Sequence, residues 1–145
     1  MTNQHSITSP LLASTIQRTE RGWPGHFCFA DSCRFRRNTL LECGDTRIVV
    51  STVGLFKISG SFMCIGHDRH FETMAFHAVF DGRYWDADFS RKISFESPWC
   101  ISDVDAYDRA NDQHEAVVWE ISAKLASGDT DFARSRQAIN QLEDS

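Results

Sequence analysis

The stretch Phe71–Phe89, FETMAFHAVFDGRYWDADF, limits the fold more than any other part of the chain. Two alternating runs rich in aromatic and β-branched residues flank Asp81-Gly82, a dipeptide suited to a two-residue type I′ turn, in which both central residues take positive φ. That turn predicts a β-hairpin with Phe80 opposite Arg83, Ala78 opposite Trp85, His77 opposite Asp86 and Met74 opposite Phe89. Side chains alternate between faces along a strand. Met74, Phe76, Ala78, Phe80, Trp85, Ala87 and Phe89 then share an apolar face expected to be core. Ala75, His77, Val79, Tyr84, Asp86 and Asp88 share a polar one.

A second hairpin is expected across Gly44-Asp45, whose glycine-first order suits a type II′ turn. It sets Glu42 opposite Arg47, Leu41 opposite Ile48 and Leu40 opposite Val49. The pairs Leu40-Leu41 and Val49-Val50 are apolar on both faces, so this hairpin should be covered on both sides. A capping-box pattern, Asp112-Gln113-His114-Glu115, predicts a helix starting at Asp112. Val117, Val118, Ile121 and Leu125 form its apolar stripe, His114 continues that stripe and Gly128 ends the helix. Weaker signals predict a helix over Leu11–Arg21, short strands at His26–Ala30 and Arg91–Phe95, a loop from Lys57 to Gly66, and a last helix over Asp131–Leu142. The expected architecture is α+β: an antiparallel sheet of about five strands built from two hairpins and covered by a C-terminal helix. Its organisation would be a mobile tail (1–10), one domain (11–128) and a helical extension (129–145).

A chain of 145 residues with 17 aromatics can bury a sizeable core as one domain. It has no run near the ~20 apolar residues of a membrane span and no basic-then-apolar leader, so a cytoplasmic location is expected. Five scattered cysteines then read as reduced thiols. The charge is split: residues 1–80 carry 8 Lys/Arg against 6 Asp/Glu, and residues 81–145 carry 7 against 14. An acidic second half repels nucleic acid and attracts basic protein partners. Arg34, Arg36 and Arg37 would meet that acidic half rather than a nucleic acid, which is not expected as a direct ligand.

Three sets of residues could carry function. His77 beside Asp86, with Asp88 as second carboxylate, has the make-up of a general-base dyad, because a carboxylate orients an imidazole and raises its pKa; no nucleophile accompanies it in the sequence. Cys28, Cys33, Cys64 and His67 could together hold tetrahedral zinc, although the spacing is not that of a zinc finger; otherwise no cofactor is expected. Asp103, Asp105, Asp108, Asp112, Glu115 and Glu120 form an acidic surface, and Trp119, off the helix stripe, either packs on the last helix or is exposed, where it would anchor a partner.

Residues 21–54 (RGWPGHFCFADSCRFRRNTLLECGDTRIVVSTVG), 70–99 (HFETMAFHAVFDGRYWDADFSRKISFESPW) and 110–125 (ANDQHEAVVWEISAKL) resemble a group of small phage- and prophage-encoded proteins of proteobacteria. The resemblance covers about residues 20–127, implies a phage context and brings no catalytic or metal residue with it. The resulting expectation is a small accessory protein that acts by protein–protein binding, an inhibitor of host defence such as an anti-CRISPR protein being one version. The alternatives are a zinc-binding or hydrolytic domain using the two sets above, and a structural or self-assembling phage component, for which an oligomer would be expected.

Overall fold

The computed structural model describes residues 15–22, 25–26, 30–58, 61–63, 71–93 and 106–128. It shows one antiparallel sheet and one long helix, an α+β fold. The strands are β1 (Gln17–Arg21), β2 (Cys33–Cys43), β3 (Thr46–Ile58), β4 (Ser61–Met63), β5 (Phe71–Phe80) and β6 (Trp85–Ile93), followed by α1 (Ala106–Ala126). Spatial order is β1-β2-β3-β5-β6, with β4 paired to the end of β3. No described helix is long and apolar enough to cross a membrane.

The β2–β3 hairpin is the centre of the sheet, and its register is the expected one: Glu42 lies opposite Arg47, Leu41 opposite Ile48 and Leu40 opposite Val49. Gly44 has φ 60°, the sign that a glycine-first turn demands. Both faces are covered, as the paired apolar residues predict. Leu41, Ile48 and Val50 pack with Ala75, Ile93 and the stripe of α1. Leu40 and Val49 lie on the far face with Ala78, under Trp85 and Ala87.

The β5–β6 hairpin forms, but with a different turn. Only Gly82 has positive φ there, so the two-residue type I′ turn is absent. Instead the Asp81 carboxylate accepts hydrogen bonds from the Arg83 and Tyr84 amides (2.9 and 3.0 Å). This local side-chain turn competes well with the tighter hairpin turn. The connection lengthens to four residues and Phe80 pairs with Trp85, Val79 with Asp86 and Ala78 with Ala87. A slip of two preserves every side chain's face. Beyond it the register breaks: Phe76 lies opposite Lys92 and Ala75 opposite Ile93. Asp88 to Arg91 thus bulge out across from His77 alone.

The helix covers the other face of β5 from the one expected. Phe71, Thr73, Ala75 and His77 point to its side and are buried, whereas Phe80 and Phe89 are exposed on the far face. The reason lies in β3: with apolar residues on both faces it cannot decide the side, and the bulge brings Ile93 beside Ala75 under α1. The far face is only partly covered. Gly25 sits against Val53 and Ser51 so closely that a Cβ would be 2.3 Å from Val53 Cγ1.

Five more expectations are corrected. Gln17–Arg21 is an edge strand, not a helix end, because pairing with β2 outweighs weak helix propensity. Helix α1 starts six residues before Asp112; Ala106 and Ala110 extend its buried stripe backward with side chains too small to register as an apolar pattern. β3 runs to Ile58 and pairs with β4 where a loop was expected. Arg91–Ile93 finishes β6 rather than starting a strand, and Ala30 begins a short 3-10 turn. The expected tail (1–10), the start of the expected first helix (11–14) and the expected helical extension (129–145) lie outside the described residues.

Candidate functional site

The interface between α1 and the sheet is polar at its centre. His114, fully buried, stands over β2, β3 and β5 at a position on the otherwise apolar stripe. Its Nε2 is 2.7 Å from Thr39 Oγ1 and its Nδ1 is 2.7 Å from Thr52 Oγ1, which is itself 2.7 Å from Thr73 Oγ1. Thr39 Oγ1 donates to Glu20 Oε2. A hydroxyl has one proton to give, so the direction of the whole chain follows. With its proton committed to Glu20, Thr39 accepts from His114 Nε2–H. His114 Nδ1 then accepts from Thr52, and Thr52 accepts from Thr73. The imidazole is the neutral Nε2–H tautomer, and its pKa is pushed down to about 4, chiefly by burial. Every polar atom in this line is satisfied, the condition on which a buried polar network is tolerated.

At the surface end of the line lies an ion-pair cluster. Arg18 grips Glu115 through both terminal nitrogens (2.8 and 2.5 Å). Arg37 bridges Glu20 (2.7 Å) and Glu115 (2.9 Å). The Arg18 hydrogen bond, ahead of burial, which works against it, holds the Glu115 carboxyl at about 2. Glu115 therefore belongs to the molecule's own framework rather than to a free acidic surface. Beside this cluster, between β1 and α1, runs a groove of about 390 Å³ whose walls include Ile16, Leu41, Val118, Trp119 and Ala126. Trp119 is 73 % exposed and also lines a shallower hollow with Glu120 and Lys124 on its other side.

The sequence-derived candidates fare differently. Trp119 is on the surface rather than in the core. Asp108 and Asp112 are exposed, Glu120 is half-buried, and Asp103 and Asp105 lie outside the described residues. The dyad is not assembled: Asp86 lies opposite Val79, where it accepts from the Ala87 amide (2.8 Å). Asp88 is the carboxylate nearest in effect to His77, but burial and Arg91 outweigh it and depress the imidazole pKa. Ser90 donates its hydroxyl to Asp88 (2.6 Å) rather than to an imidazole, so it is not activated as a nucleophile. Of the zinc set only Cys33 is described; it packs with Val53 and Phe56, and burial raises its thiol pKa. Cys28, Cys64 and His67 lie outside the described residues, and no group of three metal-ligating side chains converges among those described.

Sequence reasoning placed His114 on the buried stripe but missed its role. The clue was available: Thr52 and Thr73 fall on strands at positions where the neighbouring inward residues are apolar or glycine, and Thr39 shares its face with Leu41. The Arg18–Glu115 pair, separated by 97 positions, left no local signal. Comparison with protein-family models, curated proteins and solved structures finds no match.

Proposed function

We propose that this chain acts by binding another protein through the outer surface of α1 and the adjoining groove, with Trp119 as the anchor. The observation that carries the reading is the exposure of Trp119 in the middle of a well-packed helix, beside an apolar groove. A monomer gains nothing by holding an indole in water, whereas interfaces concentrate their binding energy in such rings. The partner fits as a protein that inserts aliphatic side chains beside the indole and sets basic residues against Asp108, Asp112 and Glu120. In the phage context implied by the resemblance, a host-defence protein is the expected kind of partner, and inhibition by occupancy the expected effect.

The test is affinity capture from host lysate with the wild-type chain and with Trp119→Ser. A specific host protein retained by the first and lost with the second supports the reading. Equal capture by both, with the variant's fold intact by circular dichroism, refutes it.

A further inference from the structure

Helix α1 carries two apolar stripes, and the sheet takes only one of them. Val117, Val118, Ile121 and Leu125 are buried against the sheet. Ala116, Trp119, Ala123 and Ala126 form the second, at steps of three, four and three, the spacing of a seam that receives another helix. Ala116, Trp119 and Ala123 are exposed and Ala126 is half-buried. This stripe is the ridge between the groove beside β1 and the shallower hollow next to it. Just past its end, Gly128 has φ 87°, the left-handed conformation in which a chain leaves a helix and turns away. Residues 129–145 lie outside the described residues. Their sequence repeats the spacing of the stripe: Phe132, Ser135, Ile139 and Leu142 also follow at three, four and three, on one face of a helix. Asp131, just before Phe132, is a suitable N-cap for that helix.

We infer that residues 132–142 dock on this stripe as a helix antiparallel to α1. Each stripe spans about 15 Å at the rise of an α-helix. Laid antiparallel they match at every position: Phe132 opposite Ala126, Ser135 opposite Ala123, Ile139 opposite Trp119 and Leu142 opposite Ala116. The bulky Phe132 and Leu142 meet alanines, which lets the helix axes approach to the ~8–10 Å of packed helices. The connection is then Ser127–Asp131, five residues, within the range of an αα-hairpin. A tether that short holds the tail at an effective concentration in the millimolar range, so a second copy at micromolar concentration is at about a thousandfold disadvantage for the same surface. Docking stands without the protein-binding reading. Its consequence rests on that reading: the tail occupies the Trp119 surface, and a partner protein must displace it.

The experiment is NMR of the isotope-labelled full-length chain. Through-space contacts between the Trp119 ring and the Ile139 methyls, and between the Phe132 ring and the Ala126 methyl, are expected. Amide exchange across residues 135–140 should be slowed at least about tenfold relative to an unstructured chain. The double variant Phe132→Asp/Ile139→Asp should return that exchange to the unstructured rate and move the Trp119 indole signal, while the β2–β3 amides stay protected. Absence of any contact between Trp119 and Ile139, or unprotected amides in the wild type, overturns the docking. So do contacts seen only between differently labelled chains, which would make the occupant a second copy. Capture from host lysate tests the consequence separately. The double variant should retain at least about twofold more of the protein that Trp119→Ser loses; equal retention by double variant and wild type overturns the competition. Contacts present with equal capture by wild type and Trp119→Ser keep the docking and remove the partner. Contacts absent with capture lost in Trp119→Ser remove the docking and keep the partner.

Discussion

Replacing His114 with glutamine tests the central architecture, because it keeps a hydrogen-bonding side chain in place while removing the titrating ring. In the native protein His114 gives up its proton at about 4, against an ordinary value of 6.5. Between those values the unfolded chain binds more protons than the native one, so stability rises with pH across that interval. The contribution is complete above pH 6.5 and is lost as the pH falls toward 4. Two and a half units correspond to about 3 kcal/mol. The charged groups around the ring are Arg37, Glu20, Glu115 and Arg18, whose opposing effects are smaller than that of burial. His77, also depressed by burial, adds a slope of the same sign. Glu115 acts in a separate window, its stabilisation being lost only as the pH falls from the ordinary carboxylate range toward 2.

Urea unfolding at several pH values between ~7 and ~4.5 should therefore show the wild type losing stability steeply and His114→Gln losing much less. At neutral pH the variant should be weaker by about 1–3 kcal/mol, since a flexible amide replaces the rigid ring that spans Thr39 and Thr52. Parallel pH slopes in the two proteins would refute the assignment of a buried, neutral imidazole. A His77→Gln control separates the two histidines.

Gly54→Ala should destabilise by about 1–3 kcal/mol or more, because the new methyl would sit 2.0 Å from the Phe71 ring; chemical denaturation measures it. Nitrogen NMR of His114 should show Nε2 protonated and Nδ1 bare, and the opposite tautomer would reverse the direction of the threonine chain. Asp81→Ala should speed amide exchange at Arg83 and Tyr84 while leaving the β2–β3 amides protected, since those two amides bond to the carboxylate and the backbone bond across the turn runs from the Asp81 amide to the Tyr84 carbonyl. A double-mutant cycle on Arg18 and Glu115 should give a coupling within about 1 kcal/mol that shrinks with added salt, the pair being well aligned but solvent-exposed.

What was legible in the sequence was whatever is decided within a few residues. Gly44-Asp45 dictates its own turn, so the pairing of Glu42 with Arg47 followed. The stripe Val117, Val118, Ile121 and Leu125 announced the helix and left Trp119 outside it. Asp81-Gly82 was read as a turn but not as the right one, because an Asx turn and a type I′ turn use the same two letters. The bulge at Asp88–Arg91 could not be read at all, since it is imposed by Ile93 reaching the core under α1. Which face the helix chose was equally beyond local pattern: with β3 apolar on both sides, the choice rests on Arg18 and Arg37 meeting Glu115, and on Thr39 and Thr52 meeting His114, contacts between elements far apart in the chain.

That choice of side explains where the exposed apolar residues lie. A single helix can cover one face of a five-stranded sheet, and the other must be closed by what remains. Near β4 the backbone of Gly25 and the ring of His26, held between Ser51 (3.0 Å) and Glu72 (2.9 Å), provide the closure. At the β5–β6 end, among the described residues, Trp85 under the Arg47 guanidinium provides it. Phe80 and Phe89 flank that closure and are left in water. On the helix side the same logic applies at the edge strand: β1 is five residues long, Ile16 reaches the core beside α1, and the groove between them stays open next to Trp119. The exposed apolar residues thus sit where, among the described residues, one helix and one sheet run out of covering material.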